Sequence, residues 1–210
     1  SKDKHFEYKN AKFLIAFGPL GAYQKEHEYL AKILNLNYIN LGFDTRGLKI
    51  ATPDEVQRRI YPSFKKALEY INDDKVALIT TSKEVIPMFG EALNKVDMIK
   101  ISGTGITYDQ VKQFEESLPS TLVIPSYGHF AAKSSIGFLN NSKITYYPSF
   151  PATNFFVVDD NGKIVPYGKE GKIKMVIAQP SVLLIKEDDI AERAKPNEVF
   201  GVDGVSNPHR

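Results

Sequence analysis

Short apolar runs alternate with stretches of helical spacing over the first half of the chain. Residues 12–17 (KFLIAF), 37–41 (NYINL), 75–80 (KVALIT), 98–101 and 121–124 are apolar runs of strand length. Runs of this kind predict strands covered on both faces. Between the first two, Tyr23, Tyr29, Leu30, Ile33 and Leu34 recur near helical spacing and predict a helix over 22–34. Thr52 stands as an N-cap before Pro53, with Asp54 and Glu55 in the first turn of another helix. Pro62 predicts a break near Tyr61 and a second helix over 63–71. Ser82 is placed to cap a helix over 83–93, and 109–118 carries a further helical pattern. Strands alternating with helices over 12–125 predict a parallel sheet with flanking helices and right-handed crossovers.

The pattern changes after about residue 137. Residues 143–147 (KITYY), 154–159 (NFFVVD) and 172–177 (KIKMVI) alternate or run apolar with no long helix between them. Asp159-Asp160-Asn161-Gly162 is a strong turn signal, and 168–171 is another. A last apolar run, 181–185, meets Lys186-Glu187-Asp188-Asp189. This half predicts a smaller antiparallel β subdomain. The expected fold is therefore α/β: a parallel sheet with helices over 12–137, antiparallel strands over 138–195, and a loop-like tail over 196–210. Residues 1–11 are charged and read as a frayed end or as the interior of a longer chain.

Two strand ends carry polar, glycine-bearing loops: Ser102-Gly103-Thr104-Gly105 after the fourth run and Ser126-Tyr127-Gly128-His129 after the fifth. Ligands of open parallel sheets bind at the carboxyl ends of the strands, so these loops form the candidate site. Taken alone, the first reads either as a ligand loop or as a plain helix entry, being shorter than any phosphate fingerprint. Tyr127 reads either as a core aromatic or as a platform for a flat ring. His129 is the candidate catalytic residue, as a general base beside Ser126, set against a plain role in loop hydrogen bonding. Gly18-Pro19-Leu20-Gly21 lacks phosphate-loop spacing and reads as a turn. Tyr108, Tyr127, Tyr146 and Tyr147 line an aryl pocket or pack a barrel.

The 210 residues suffice for one or two domains. A net charge of +2 with interspersed signs gives no reason to expect nucleic acid. The absence of cysteine excludes disulfides, thiolate metal sites and a cysteine nucleophile, and suits a reducing cytoplasm. No apolar run approaches membrane-spanning length, and no signal peptide is visible, so no membrane role and a cytoplasmic location are expected. Asp73-Asp74 and Asp159-Asp160 sit at turn signals, and no histidine pair or calcium-loop pattern occurs; no structural metal is expected. The Lys, Ile, Tyr and Glu bias is of the kind seen in thermophiles.

The order of these features resembles the acyl-adenylate-forming (AMP-binding) superfamily, in its phenylacetate–CoA ligase-like branch. The matching text runs through most of the chain: Ser102-Gly103-Thr104-Gly105-Ile106, Ser126-Tyr127-Gly128, Tyr146-Tyr147-Pro148, Gly162 through Val165-Pro166-Tyr167-Gly168-Lys169-Glu170-Gly171, Asp189-Ile190-Ala191-Glu192-Arg193, and Asp203-Gly204-Val205. The resemblance implies a nucleotide site. In it Ser102, Gly103, Thr104 and Gly105 lie along the adenine and the acyl pocket. Tyr127 stacks on adenine, with Gly128 beside the reacting carboxylate. Asp189, or its neighbour Asp188, accepts hydrogen bonds from the ribose hydroxyls. It further implies ATP or AMP and Mg²⁺ as cofactors, and a carboxylic acid, aromatic or similar, as substrate.

The departures from the family are as informative. Ala131 stands where the superfamily places the Mg²⁺-holding glutamate. The Ser/Thr/Gly-rich phosphate loop with its lysine and the small C-terminal domain with its catalytic lysine are not found in this sequence. The chain thus looks like the central part of such an enzyme and is expected not to adenylate by itself, since this chemistry rests on charge stabilisation of the phosphates. Missing parts would come from another chain or a longer parent, or the chain would be a homo-oligomer covering an exposed sheet edge. The alternative is a non-catalytic scaffold or binding protein that keeps the fold, with the pocket filled by side chains.

Overall fold

The structure, a computed structural model, describes residues 13–17, 23–42, 52–73, 75–102, 105–128, 134–178 and 182–209, without the side chains of Arg59 and Glu187. It divides into two compact units: residues 1–104 with 113–124, and residues 105–112 with 125–210.

The first unit is the expected parallel sheet. Strands β1 (Phe13–Ala16), β2 (Asn37–Asn40), β3 (Val76–Thr81) and β4 (Met98–Ile101) pair in parallel in the order β2-β1-β3-β4. All six residues of β3 are buried, as a continuous apolar run requires. The chain steps from β1 to β2 on one side, then returns to place β3 on the other side of β1. The order therefore reverses between β1 and β3, the kind of switch point at which open sheets bind ligands.

Helix α1 (Gln24–Ile33) covers one face, with Ala31 packing on Leu14, Ala16, Leu36, Ala77 and Leu78. Its inward stripe differs from the expected one. Tyr29 and Ile33 are 62% and 61% exposed, while His27 and Ala31 are buried. Positions 23, 27, 30, 31 and 34 are the helical face that meets the sheet; a histidine holds a place that apolar counting passed over.

Pro62 does not break its helix as expected. Helix α2 (Pro53–Glu55) begins with a full capping box: the Glu55 N–H donates to Thr52 Oγ1, and the Thr52 N–H donates to Glu55 Oε2. One π-helical turn (Val56–Ile60) then leads directly into helix α3 (Tyr61–Asn72). The Tyr61 N–H donates to the Val56 carbonyl, five residues back. This wider register carries the chain past a proline that cannot donate. The expected helix over 83–93 is also corrected. Only Ile86–Phe89 (helix α4) is α-helical, and Gly90–Lys95 continues as a 3-10 turn. Gly90, with φ +52°, ends the α-helical part. The Ser82 hydroxyl, placed by sequence as a cap, has no hydrogen-bond partner.

Helix α5 (Tyr108–Ser117) begins on a second reciprocal box: the Gln110 N–H donates to Thr107 Oγ1, and the Thr107 N–H donates to Gln110 Oε1. Strand β5 (Leu122–Tyr127) runs longer than the apolar run predicts. It continues through Pro125, and Ser126 and Tyr127 pair with Ile136 and Ser135. Tyr127 is thus a strand residue, not a loop residue.

The second unit is antiparallel, as the change of pattern predicts. Its strands β6 (Ser135–Asn140), β7 (Lys143–Tyr146), β11 (Gly204–His209), β10 (Val182–Ala194), β9 (Glu170–Ala178) and β8 (Thr153–Val158) neighbour one another in that order. β9 shows strict alternation: Ile173, Met175 and Ile177 are buried, and Lys172, Lys174 and Val176 point the other way. The β8–β9 connection contains the expected turn. Asp159 Oδ1 accepts from the N–H groups of Asn161 and Lys163, and Gly162 sits at φ +78°.

Two strands lie outside the sequence expectation. β6 follows the second candidate loop, and β11 lies in the tail expected to be loop-like, where Val205 is fully buried. The tail is held by Arg193, whose guanidinium lies 2.7 Å from the Asp203 carboxylate and donates to the Val165 carbonyl. Among the described residues no helix is long and apolar enough to cross a membrane.

Gly171 is required by close approach rather than by its backbone angle. A Cβ there would lie 2.5 Å from the Val158 carbonyl oxygen on β8. That atom is backbone and cannot swing aside. Gly171→Ala is expected to destabilise the chain by about 1–3 kcal/mol, read as a lower urea midpoint, whereas Gly105→Ala, where a Cβ meets nothing within 4 Å, should leave the midpoint nearly unchanged.

Candidate functional site

The residues assigned to nucleotide binding distribute over the two units. Ser102 follows β4 in the first, and its N–H donates to the Thr81 carbonyl at 2.8 Å. Gly105, Tyr127, Gly128 and Asp189 belong to the second unit. Gly103 and Thr104 lie outside the described residues, as do His129, the candidate base, and Ala131.

Within the second unit, two of these residues meet. The Tyr127 hydroxyl donates to Asp189 Oδ2 at 3.0 Å, although 62 positions separate them in sequence. The local chain geometry accounts for the meeting. β10 is not limited to the apolar run 181–185 but passes through the charged stretch 186–189, spanning 13 residues in all. Lys186 pairs with Lys174 and Ile190 with Lys172, so four steps along β10 face two along β9. The surplus is a bulge containing Asp188 and Asp189. Bulges redirect side chains and recur beside functional sites; here the irregularity lies where β10 presents Asp189 to Tyr127.

Tyr127 is also a packing residue. Its ring centroid lies 5.7 Å from that of Tyr146 and 6.1 Å from that of Phe155, the latter edge-on. Tyr146 and Tyr147 are themselves buried, and burial pushes the Tyr146 phenol well above its ordinary range. Tyr147 lies parallel to Phe200 at 4.9 Å and donates to the Lys195 carbonyl. Tyr146 and Tyr147 thus serve as packing for β7, β11 and the tail. Among the described residues no group of three or more histidine, aspartate or glutamate side chains could hold a metal ion.

Sequence reasoning passed over a polar cluster in the first unit. Lys100, on β4, is 6% exposed, and its ammonium lies 2.6 Å from Glu26 of α1. His27, the next residue of α1, shares a 3.2 Å hydrogen bond between its Nε2 and Thr80 Oγ1 of β3. The signal was present: a lysine inside the run Met98-Ile99-Lys100-Ile101 needs a buried partner, because an isolated buried ammonium is too costly to keep charged. Burial, with the positive charge of Lys100 second, lowers the His27 pKa to about 4; Glu26 opposes this. At the end of β3 the hydroxyls of Thr81 and Ser82 are buried without a hydrogen-bond partner.

No protein-family model matches the sequence, and no curated protein matches it. Solved structures do. McyG A-PCP complexed with phenylalanyl-adenylate superposes with a TM-score of 0.62 at 14% identity, over 97% of this chain and 40% of that one. IdnL1 gives a TM-score of 0.61 at 11% identity, over 95% of this chain and 45% of that one. CmiS6 gives 0.60 at 12%, over 96% and 53%. The chain shares the fold of these structures over nearly all of its length, with parallel strands first and an antiparallel part after them. It spans 40 to 53% of the length of these three structures.

His27 makes the first unit sensitive to acid. Its folded pKa lies below the unfolded value of 6.5, so the unfolded chain binds the extra proton. The stability contributed by neutral His27 is complete above about pH 6.5 and is lost as pH falls towards 4, by about 3 kcal/mol in all. Urea unfolding of wild type and His27→Gln across pH 4 to 7.5 should show the gap between them narrowing as pH falls; a constant gap would contradict the assignment.

Proposed function

We propose that this chain carries the nucleotide-holding core of an ATP-dependent, carboxylate-activating ligase of the phenylacetate–CoA ligase type. The observation that supports this most is the Tyr127–Asp189 hydrogen bond. The family resemblance assigns these two residues, distant in sequence, to one nucleoside, and they are in contact. The neighbour McyG A-PCP is described as complexed with phenylalanyl-adenylate, which agrees with an acyl-adenylate as the ligand class.

The side chains fit a nucleoside chemically. A flat aromatic ring matches a purine face, and a carboxylate accepts from two adjacent hydroxyls. Tyr127 would orient the adenine, Asp189 would hold the ribose, and Gly128 would leave room beside the reacting carboxyl. Gly105, in the same unit, would border the adenine and an aromatic acyl group. ATP would supply the adenylyl group, and Mg²⁺ would balance its phosphates. With Ala131 at the position of the family's metal-holding glutamate, the donor set for that ion does not fit in these residues. The 210 residues alone are therefore expected to bind an adenylate without forming one, and a partner, a second copy or further sequence would supply the chemistry.

One observation favours the alternative, a non-catalytic scaffold or binding protein. Tyr127 already packs against Tyr146 and Phe155, so the ring proposed for adenine also serves the core of the second unit.

Calorimetric titration with a non-hydrolysable aryl-adenylate analogue separates the two. The ligase reading expects binding to wild type and about a tenfold or greater loss in Asp189→Asn, since a charge-assisted hydrogen bond contributes about 1.5–3 kcal/mol. Tyr127→Phe should keep the packing and weaken binding less than Tyr127→Leu. A folded wild type that binds neither the analogue nor ATP would leave the scaffold reading in place.

A further inference from the structure

A cleft in the second unit has a charge arrangement that the nucleotide reading does not use. It has a volume of about 350 Å³ and lies between the 159–162 turn and the outward face of β9 and β10. Neither Tyr127 nor Asp189 lines it. Three lysines do: Lys172, Lys174 and Lys186. Lys172 is committed, its ammonium lying 2.7 Å from Asp160. Asp159, the other acid of the cleft, turns Oδ1 to two backbone N–H groups of its own turn.

Lys174 and Lys186 are different. They are directly opposed partners in the antiparallel register. Opposed residues hold their Cβ atoms about 5 Å apart, and like charges in such a pair repel. A negative group between or above the two ends offsets this repulsion, and the Asp159 carboxylate of the same cleft is held by its own turn. The strand alternation gives no escape: Lys174 points outward because Ile173 and Met175 point in. The Lys174 ammonium is drawn over the turn, 3.3 Å from where a Cβ on Gly162 would stand. Glycine at 162 thus serves the left-handed backbone of the turn and also leaves room for the charge at the cleft floor.

We propose that Lys174 and Lys186 form an anion site for a phosphate dianion, either free or as the monoester of a small molecule. A phosphate group brings about two negative charges and several acceptor oxygens. It can accept from both ammonium groups at once and relieve their repulsion, which a monovalent ion relieves only in part. Two N–H groups donating to one doubly charged acceptor are charge-assisted hydrogen bonds, the stronger kind.

The test is calorimetric titration of the full chain at pH 8 and constant ionic strength, with inorganic phosphate, methyl phosphate and sodium chloride as separate titrants. Phosphate binding is expected, weakened about fivefold or more in Lys174→Gln and in Lys186→Gln and abolished in the double variant. Lys163→Gln, beside the turn but outside the cleft, should bind as wild type does. Methyl phosphate binding as tightly as inorganic phosphate points to a monoester ligand, and binding of inorganic phosphate alone points to the free ion. Unfolding midpoints in phosphate-free buffer show that the variants are folded, because loss of a repelling pair should not lower them. Equal affinity in the double variant, a response to chloride matching that to phosphate, or no binding of either phosphate probe overturns the proposal. The aryl-adenylate analogue should bind the double variant as it binds wild type, which keeps this site and the Tyr127–Asp189 site separable.

Discussion

The second unit depends on the pairing of β9 with β10, and that pairing has to absorb a mismatch. β9 alternates strictly, with Ile173, Met175 and Ile177 committed to the core. A partner strand in perfect register would keep every second residue of 186–190 on a fixed face. β10 instead takes four steps against two. On the near side of the bulge the register opposes two lysines; within it lies Asp189, bonded to Tyr127; beyond it Ala191 is buried again and Arg193 reaches Asp203. Three pieces of chemistry thus follow one another along a single strand, and the irregularity carries the middle one. The surplus is two residues and the strand period is two, so the alternation is in phase again beyond it; removing the surplus would delete the irregular stretch that carries Asp189 and leave the faces on either side unchanged.

The first unit meets a related constraint by other means. A parallel sheet covered on both faces has no wet side on which to put charge. Lys100 is placed there nonetheless, and Glu26 and His27 of α1 are what make it tolerable. Glu26 neutralises the ammonium, and His27 stays neutral because of its burial and the nearby positive charge. A well-packed apolar trio would serve stability as well or better. The cost of keeping polar groups beside the carboxyl ends of β3 and β4 is consistent with a role for that end of the sheet beyond packing.

Much of this was legible in the sequence, for identifiable reasons. The four parallel strands could be read because continuous apolar runs of four to six residues, bounded by polar turns, are too short for buried helices and fit a covered strand. The 159–162 turn could be read because Asp and Gly there each have a stereochemical reason to be present. Three kinds of feature could not be read. β6 and β11 lack a usable apolar run: β11 holds a proline and three polar residues and is fixed by long-range pairing with β7 and β10. The π turn before Pro62 depends on where the chain must go next, so a rule about proline alone predicts a break. The bulge at 187–189 is a property of two strands together, and a single run of charges carries no signal of it. Of the candidate site, Tyr127 and Asp189 were named from family resemblance; periodicity alone would have put the first in a core and the second in a turn.

The two readings of Tyr127 are less opposed than they look. A ring that is to orient a purine must itself be held, since a freely rotating platform surrenders to conformational entropy much of what stacking contributes. Tyr146 and Phe155 hold the ring from the side, and Asp189 holds its hydroxyl. The same contacts would hold a tyrosine with no ligand at all. What separates the cases is the carboxylate. In a purely structural role Asp189 serves as an acceptor, Tyr127 among its donors, and asparagine, with a carbonyl oxygen of the same size, substitutes at little cost. In a nucleoside site the charge itself is needed, because the ribose hydroxyls must be drawn from water against their own hydration. The oxygen atom belongs to either account; the negative charge belongs to one.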